Sequence, residues 1–174
     1  MAPQSRSQQI HIRILMLYQD DPKKCTAARM VRFDLARVAR KVAGDTILLD
    51  PFSDRLLLPE DRAHASSVTV IDCSWKRAGP VFSGGRSGLA RRLPPLLAGN
   101  PVNYAKWSKL TTAEAAAAAL YILGSSESAR HILDKFRWGH TFLDLNRSLL
   151  DDYAAAGSAE HITRTLAEHG YGTS

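Results

Sequence analysis

The sequence predicts an α/β fold, a parallel sheet with helices on its faces that leads into a helical C-terminal third. Three observations carry this prediction. Short runs of Ile, Leu and Val alternate with helical or loop texture through residues 10–72. A Gly-, Pro- and Asn-rich stretch follows, from about residue 79 to 110. After Leu110, apolar residues recur at helical spacing with cap residues before the runs. The expected layout is a disordered lead-in over residues 1–9, an α/β domain over 10–98 and a helical domain over 99–174.

"IHIRILMLY", residues 10–18, reads as the first strand, and "QDDPKKC" as the loop after it. From Thr26 to Val42 the spacing predicts a helix. Val31, Leu35, Val38 and Val42 fall on one side of the wheel and Arg29, Arg37, Arg40 and Lys41 on the other, with Gly44 as the stop. "TILLD" is a second strand closed by Pro51, "LPEDRAHA" a short helix and "VTVID" a third strand. Within the irregular stretch, "PLLAG" reads as a last strand. "TTAE" is a capping box with Thr111 as N-cap and Glu114 three residues on. It opens a helix that runs to Gly124. "SSESARHILDKF", "TFLDLNRSLLDDYAAA" and "SAEHITRTLAEHG" follow as further helices.

With 174 residues, 45% hydrophobic and 23% charged, the chain has enough apolar material for a real core. The longest apolar run, "AEAAAAALYIL", is too short for a bilayer, and "MAPQSRSQQ" lacks the apolar centre of a secretory signal. A cytoplasmic protein is expected. Residues 1–110 hold 18 Lys and Arg against 9 Asp and Glu, and residues 111–174 hold 5 against 8. The basic excess of the first two-thirds suits a polyanion, nucleic acid above all. Two cysteines, Cys25 and Cys73, are too few for a zinc site built on cysteine pairs, and the six histidines show no H-x-x-x-H spacing, so no metal is expected.

Ligands of parallel α/β sheets bind beyond the carboxyl ends of the strands. Three such ends carry unusual residues here, "QDDPKKCT", "LLDPFS" and "IDCSW". Asp72 has three readings: a turn cap, a base or a counter-charge. Trp75 is either core or an apolar wall for a ring ligand. Thr26 and Thr112 stand at helix starts, where free N–H groups suit a carboxylate or phosphate. Neither G-x-G-x-x-G nor the P-loop pattern is present. The residues by themselves point to a ligand site at the strand ends and an RNA partner.

"DDPKKCTAARMVRF", "LLDPFS", "VIDCSW", "NPVNYAKWSKLTTAEAAAAALYI" and "KFRWGHTFLDLNRSLLDDYA" together resemble the ribosomal-RNA aminocarboxypropyltransferases, over about residues 10–160. That family modifies a hypermodified pseudouridine or uridine of small-subunit rRNA. The resemblance implies a fold related to the SPOUT RNA methyltransferases, with a trefoil knot threaded through residues 79–110 and an all-α C-terminal bundle that completes the cofactor site. It implies S-adenosylmethionine as cofactor, with its 3-amino-3-carboxypropyl group transferred and methylthioadenosine released. Thr26 and the N–H of Thr112 would then hold the methionine carboxylate, and the Ile71 carbonyl the ribose hydroxyls. The backbones of Leu93 and Ser108 would read adenine N1 and N6. Leu49, Pro51, Trp75 and Ala78 would wall the adenine, with Leu110 at the edge of that wall. Asp72 would face the reaction as base or electrostatic element, and Cys73 would be inert. Trp107-Ser108 stands where relatives often have Pro and then an aromatic residue or Cys, which leaves the packing there open. RNA would lie on Lys23, Lys24, Arg29, Arg62, Arg86, Arg91 and Arg92. A monomer is expected, because the helical third would cover the usual dimer face. The competing readings are a SPOUT-type RNA methyltransferase and a non-catalytic RNA-binding ribosome-assembly factor.

Overall fold

The computed structural model describes residues 8–18, 21, 23, 25–73, 77–82 and 86–172. Five strands, β1 (His11–Met16), β2 (Arg37–Ala39), β3 (Thr46–Leu49), β4 (Ser67–Asp72) and β5 (Leu89–Arg91), form one sheet in the order β2-β1-β4-β3-β5, every pair parallel. Met16 pairs with Asp72, and Leu49 with both Val70 and Arg91, so the carboxyl ends of β1, β3, β4 and β5 share one edge.

Six helices accompany the sheet: α1 (Thr26–Arg32), α2 (Ala78–Phe82), α3 (Thr112–Ile122), α4 (Ser126–Leu133), α5 (Gly139–Ala154) and α6 (Ala159–Glu168). A 3-10 helix, Pro59–His64, fills the place expected for a short helix. Alternation along the strands separates the two faces. Ile12, Ile14, Ile47, Leu49, Val68 and Val70 join the large cluster that takes in α1 and α3 to α6. Leu15, Leu48 and Ile71 face the other way, with Val42 and with Val81 and Phe82 of α2. Cys73 packs partly buried on that second face. Ala113 and Ala116 to Ala119 are all buried, and these small side chains let α3 lie close to β4 and α1. No helix among the described residues is long and apolar enough to cross a membrane.

Two expected elements are corrected. The helix drawn from Thr26 to Val42 ends at Arg32. Asp34, at φ +57°, closes it: the Asp34 N–H bonds to Val31 O at 3.0 Å and the Leu35 N–H to Met30 O at 2.9 Å. Arg37 to Ala39 then pair with β1, and Val38, counted on the buried face of a helix, is 47% exposed. The free edge of β1 overrides the helical periodicity. The last strand is not "PLLAG" but Leu89–Arg91, where Arg91 is paired with the buried carboxylate of Asp61 at 2.9 Å. Leu97 instead makes an isolated antiparallel bridge to Trp107. Gly99 sits where a Cβ would come 2.5 Å from the Phe142 nitrogen, so only glycine fits.

Candidate functional site

At the carboxyl edge of the sheet, three elements meet on one carboxylate. Asp72 ends β4, and its backbone carbonyl accepts from the Leu17 N–H beyond β1 at 3.4 Å. Its Oδ2 accepts from Cys25 Sγ at 3.3 Å, and its Oδ1 from Thr112 Oγ1 at 3.1 Å. Cys25 is the N-cap of α1, where its sulfur accepts from the Ala28 N–H at 3.5 Å. Thr26 is therefore the first residue inside that helix. Thr112 holds the matching position of α3, behind its N-cap Thr111. Asp72 thus sits between the starts of two helices, tied to one through Cys25 and to the other through Thr112. Burial pushes the Cys25 thiol up from its ordinary value, and the Asp72 carboxylate adds to the effect. Cys25 is then a protonated donor at neutral pH.

Glu114 fixes the start of α3. It is fully buried, and Oε2 accepts from Thr111 N at 2.7 Å, Thr111 Oγ1 at 3.0 Å and Asn100 Nδ2 at 2.9 Å. Oε1 accepts from Gly99 N at 2.7 Å and Asn100 N at 3.1 Å. The capping box read from "TTAE" is present, and it also holds the 97–107 loop against the helix. Sequence reasoning missed Cys25, since cysteine is not among the preferred caps, and missed the reach of Glu114 to residues 99–100.

The carbonyls of β4 alternate in direction. Those of Ser66 and Asp72 face β1, where they accept from His11 and Leu17. The Ile71 carbonyl therefore faces β3. The next donor of that ladder is position 51, a proline without an N–H. The Ile71 carbonyl, at the end of a buried strand, has no partner among the described residues and can accept from a hydroxyl. Leu49, paired with Val70, is buried, Ala78 is buried at the start of α2, and Pro51 is half-buried. Leu93, beyond β5, has an N–H with no partner among the described residues, whereas the Ser108 N–H is engaged with Leu96 O at 2.8 Å. Of its backbone groups Ser108 therefore offers a ligand the carbonyl, from a conformation at φ +57°. Leu110 is half-buried next to the start of α3. Trp75 and Lys24 lie outside the described residues.

The expected RNA contacts scatter. Lys23 is exposed on the loop before α1. The Arg29 guanidinium lies 4.6 Å over the Phe136 ring and donates to Lys135 O at 3.2 Å. Arg86 donates to Val81 O at 3.1 Å and Arg92 to Ser53 O at 2.9 Å, both near the carboxyl edge. Arg91 is turned inward onto Asp61. Arg62 binds Leu123 O at 2.7 Å and Ser125 Oγ at 2.9 Å, which places it at the far end of α3 from Thr112.

Comparison with known proteins gives a consistent result. A family model described as "Ribosome biogenesis protein, C-terminal" matches residues 47–169. A second, "Possible Fer4-like domain in RNase L inhibitor, RLI", matches residues 11–41. That range contains one cysteine, Cys25, against the four thiolates a cluster takes, so its residues do not fit an iron–sulfur centre. The chain is 46% identical over 164 residues to the 16S rRNA aminocarboxypropyltransferase of Methanococcoides burtonii, covering 91% of this chain and 94% of that one. It is 44% identical over 170 residues to the protein of the same name from Methanosarcina acetivorans, covering 95% and 97%. The solved structure of the SAM-dependent rRNA:acp-transferase Tsr3 from Vulcanisaeta distributa superposes with a TM-score of 0.82 at 40% identity, covering 91% of this chain and 89% of that chain.

Proposed function

The chain belongs to the 16S rRNA aminocarboxypropyltransferases, and from that premise we propose that it transfers the 3-amino-3-carboxypropyl group of S-adenosylmethionine to N3 of a uridine or pseudouridine in small-subunit rRNA. Methylthioadenosine is the other product. The observation that carries the reading is the extent of the likeness. An alignment over 95% of the chain leaves no room to omit β4, the start of α1 or the start of α3, the three pieces that meet at Asp72.

S-adenosylmethionine supplies a sulfonium leaving group, so the protein's main task is orientation. The residues present fit it. The Ile71 carbonyl would take the ribose hydroxyls, Thr26 and the Thr112 N–H would take the carboxylate, and Leu49, Pro51, Ala78 and Leu110 would supply the apolar wall. The Leu93 N–H and the Ser108 carbonyl divide the adenine edge as donor and acceptor, which suits N1 and N6. Asp72 accepts the N3 proton. The tie of Asp72 to both helices supports this role, because it fixes the carboxylate where the three elements meet.

The fold is read as SPOUT-like with a trefoil knot in residues 79–110. The late addition of β5 at the sheet edge beside β3, followed by the return of the chain to pack α3 on β4 and α1, is compatible with that threading. An α/β part over 10–98 and an all-α bundle over 99–174 then share the cofactor site. The protein is read as a cytoplasmic monomer that needs no metal.

Nucleoside mass spectrometry of small-subunit rRNA, from cells with and without the protein, tests the activity. The expected gain is the mass of an aminocarboxypropyl group; a methyl gain, or none, rejects it. Asp72→Asn is expected to lower transfer about 100-fold or more, the usual worth of a positioned base, with S-adenosylmethionine affinity unchanged within about threefold. Normal turnover of that variant would remove Asp72 as the base.

A further inference from the structure

Phe52 stands 58% exposed at the carboxyl edge of the sheet, one residue past Pro51. It is held there firmly. Its N–H donates to Asp50 Oδ1 at 2.8 Å, and the Ser53 N–H bonds to Asp50 O at 3.2 Å, a tight turn with proline in its middle. Phe82 of α2 lies behind it, with ring centroids 6.0 Å apart and planes tilted by 59°. Phe82 in turn packs on the Leu15, Leu48 and Ile71 face, so the sheet supports the pair and the Phe52 ring is turned to water.

Cations flank the pair. Arg86 donates through Nε and Nη2 to Val81 O, next to Phe82, at 3.3 and 3.1 Å. Arg92 donates to Ser53 O, next to Phe52, at 2.9 Å. Arg55 is exposed on the same turn, and its carbonyl accepts from the Arg92 N–H at 2.8 Å. Of the acids nearby, Asp50 is committed to the Phe52 N–H, and Asp54 is exposed. Both Arg86 and Arg92 are thus oriented by backbone carbonyls and keep further N–H groups for a second acceptor.

An exposed ring on a rigid turn, flanked by guanidinium groups, matches a nucleotide: the ring offers a stacking face and the arginines bind phosphate. The geometry points to Phe52 as a stacking platform for an unpaired nucleotide beside the target uridine, backed by Phe82, with Arg86 and Arg92 on the neighbouring phosphates. The inference rests on the rRNA substrate proposed above. N3 belongs to the Watson–Crick edge, so the target base reaches the site unpaired, and its neighbours arrive with open faces. Pro51 belongs to the cofactor wall, so the platform lies at the lip of the reaction site.

The test uses 16S rRNA purified from cells lacking the protein, with initial rates of aminocarboxypropyl incorporation measured against RNA concentration. Phe52→Leu keeps the apolar bulk and removes the π face. It is expected to raise KM for RNA about tenfold, the loss typical of one stacked base, with kcat within about twofold. Phe52→Trp should keep the wild-type KM. Calorimetric affinity for S-adenosylmethionine should be equal in all three proteins, which also shows that they are folded. An unchanged KM in Phe52→Leu, or a loss shared by Phe52→Trp, overturns the platform; a protein partner on the ring would give the first of these results with bare RNA. If the wild-type protein transfers nothing to this RNA, the substrate reading fails, and the platform falls with it.

Discussion

Pro51 acts on β4 by what it lacks. Any other residue at that position would place an N–H opposite the Ile71 carbonyl and extend the β3–β4 ladder by one bond. Pro51→Ala should restore that bond and compete with the ribose for the same acceptor. Affinity for S-adenosylmethionine should fall about tenfold by calorimetry, with the melting temperature unchanged or higher; undiminished affinity would mean that the carbonyl is not the ribose acceptor. Cys25 is the second residue whose role comes from its neighbours. Its raised thiol pKa means that the protonated, hydrogen-bonded form is the stabilised one. This contribution is full below the unfolded thiol value and is lost as pH rises through the higher folded value. Alkylation by iodoacetamide should accordingly be slower for Cys25 in the folded protein than for a free thiol at pH 7, and should accelerate in alkaline solution. Cys25→Ser keeps both the cap and the donor and should hold stability, whereas Cys25→Ala should cost about 1–2 kcal/mol in denaturant titrations. Asp72 was legible from sequence as an oddity at a strand end. The pair of helix starts that meet it was legible only one by one, because contacts 40 and 47 residues apart leave no local trace.

Helix ends explain why some elements were legible and others were not. α3 and α6 both stop at a glycine of positive φ, Gly124 and Gly170, with the N–H of the following residue bonded back into the last turn. Those stops read directly from sequence. α1 uses the same closing geometry with Asp34 in the glycine's place, so nothing in "MVRFDLARVAR" announces the end. β5 was hidden for the opposite reason: its arginine is not solvated but paired with a buried aspartate, so the triplet Leu89–Arg91 forms an edge of the sheet. Asp34→Gly relieves a left-handed backbone that disfavours a Cβ and should raise stability by about 0.5–1 kcal/mol in urea titration, with transfer activity unchanged. A loss of stability would show that the Asp34 side chain does more than occupy the turn.

For the molecule as a whole, the α/β-then-helical order was plain from periodicity, and so was the basic excess of residues 1–110. What charge counting could not separate is which arginines face solvent. Arg62 and Arg86 look alike in sequence, yet Arg62 ties down the carboxyl end of α3 and Arg86 is held at the carbonyl of Val81 in α2. Arg86→Gln should lower the slope of log K for RNA against log salt by about 0.7, one phosphate contact on a single strand. Arg62→Gln should leave that slope alone and lower the melting temperature. The reverse pattern would place RNA at the far end of α3.

The sheet itself is bounded by its two shortest strands. β2 and β5 are three residues each; β2 begins with Arg37 and is followed by Arg40 and Lys41, while β5 ends with Arg91 and is followed by Arg92. A second molecule seeking to add a strand would find a three-residue strand with a basic flank at β2, and at β5 an outer side already bonded to the chain itself, where the Arg92 N–H meets Arg55 O and the Leu57 N–H meets Arg92 O, each at 2.8 Å. Edge-to-edge pairing is therefore opposed by strand length at both edges, by the basic residues around β2 and by the chain's own cover of β5. The two ends of the sheet are thus closed to strand addition by different means, charge at one and chain at the other.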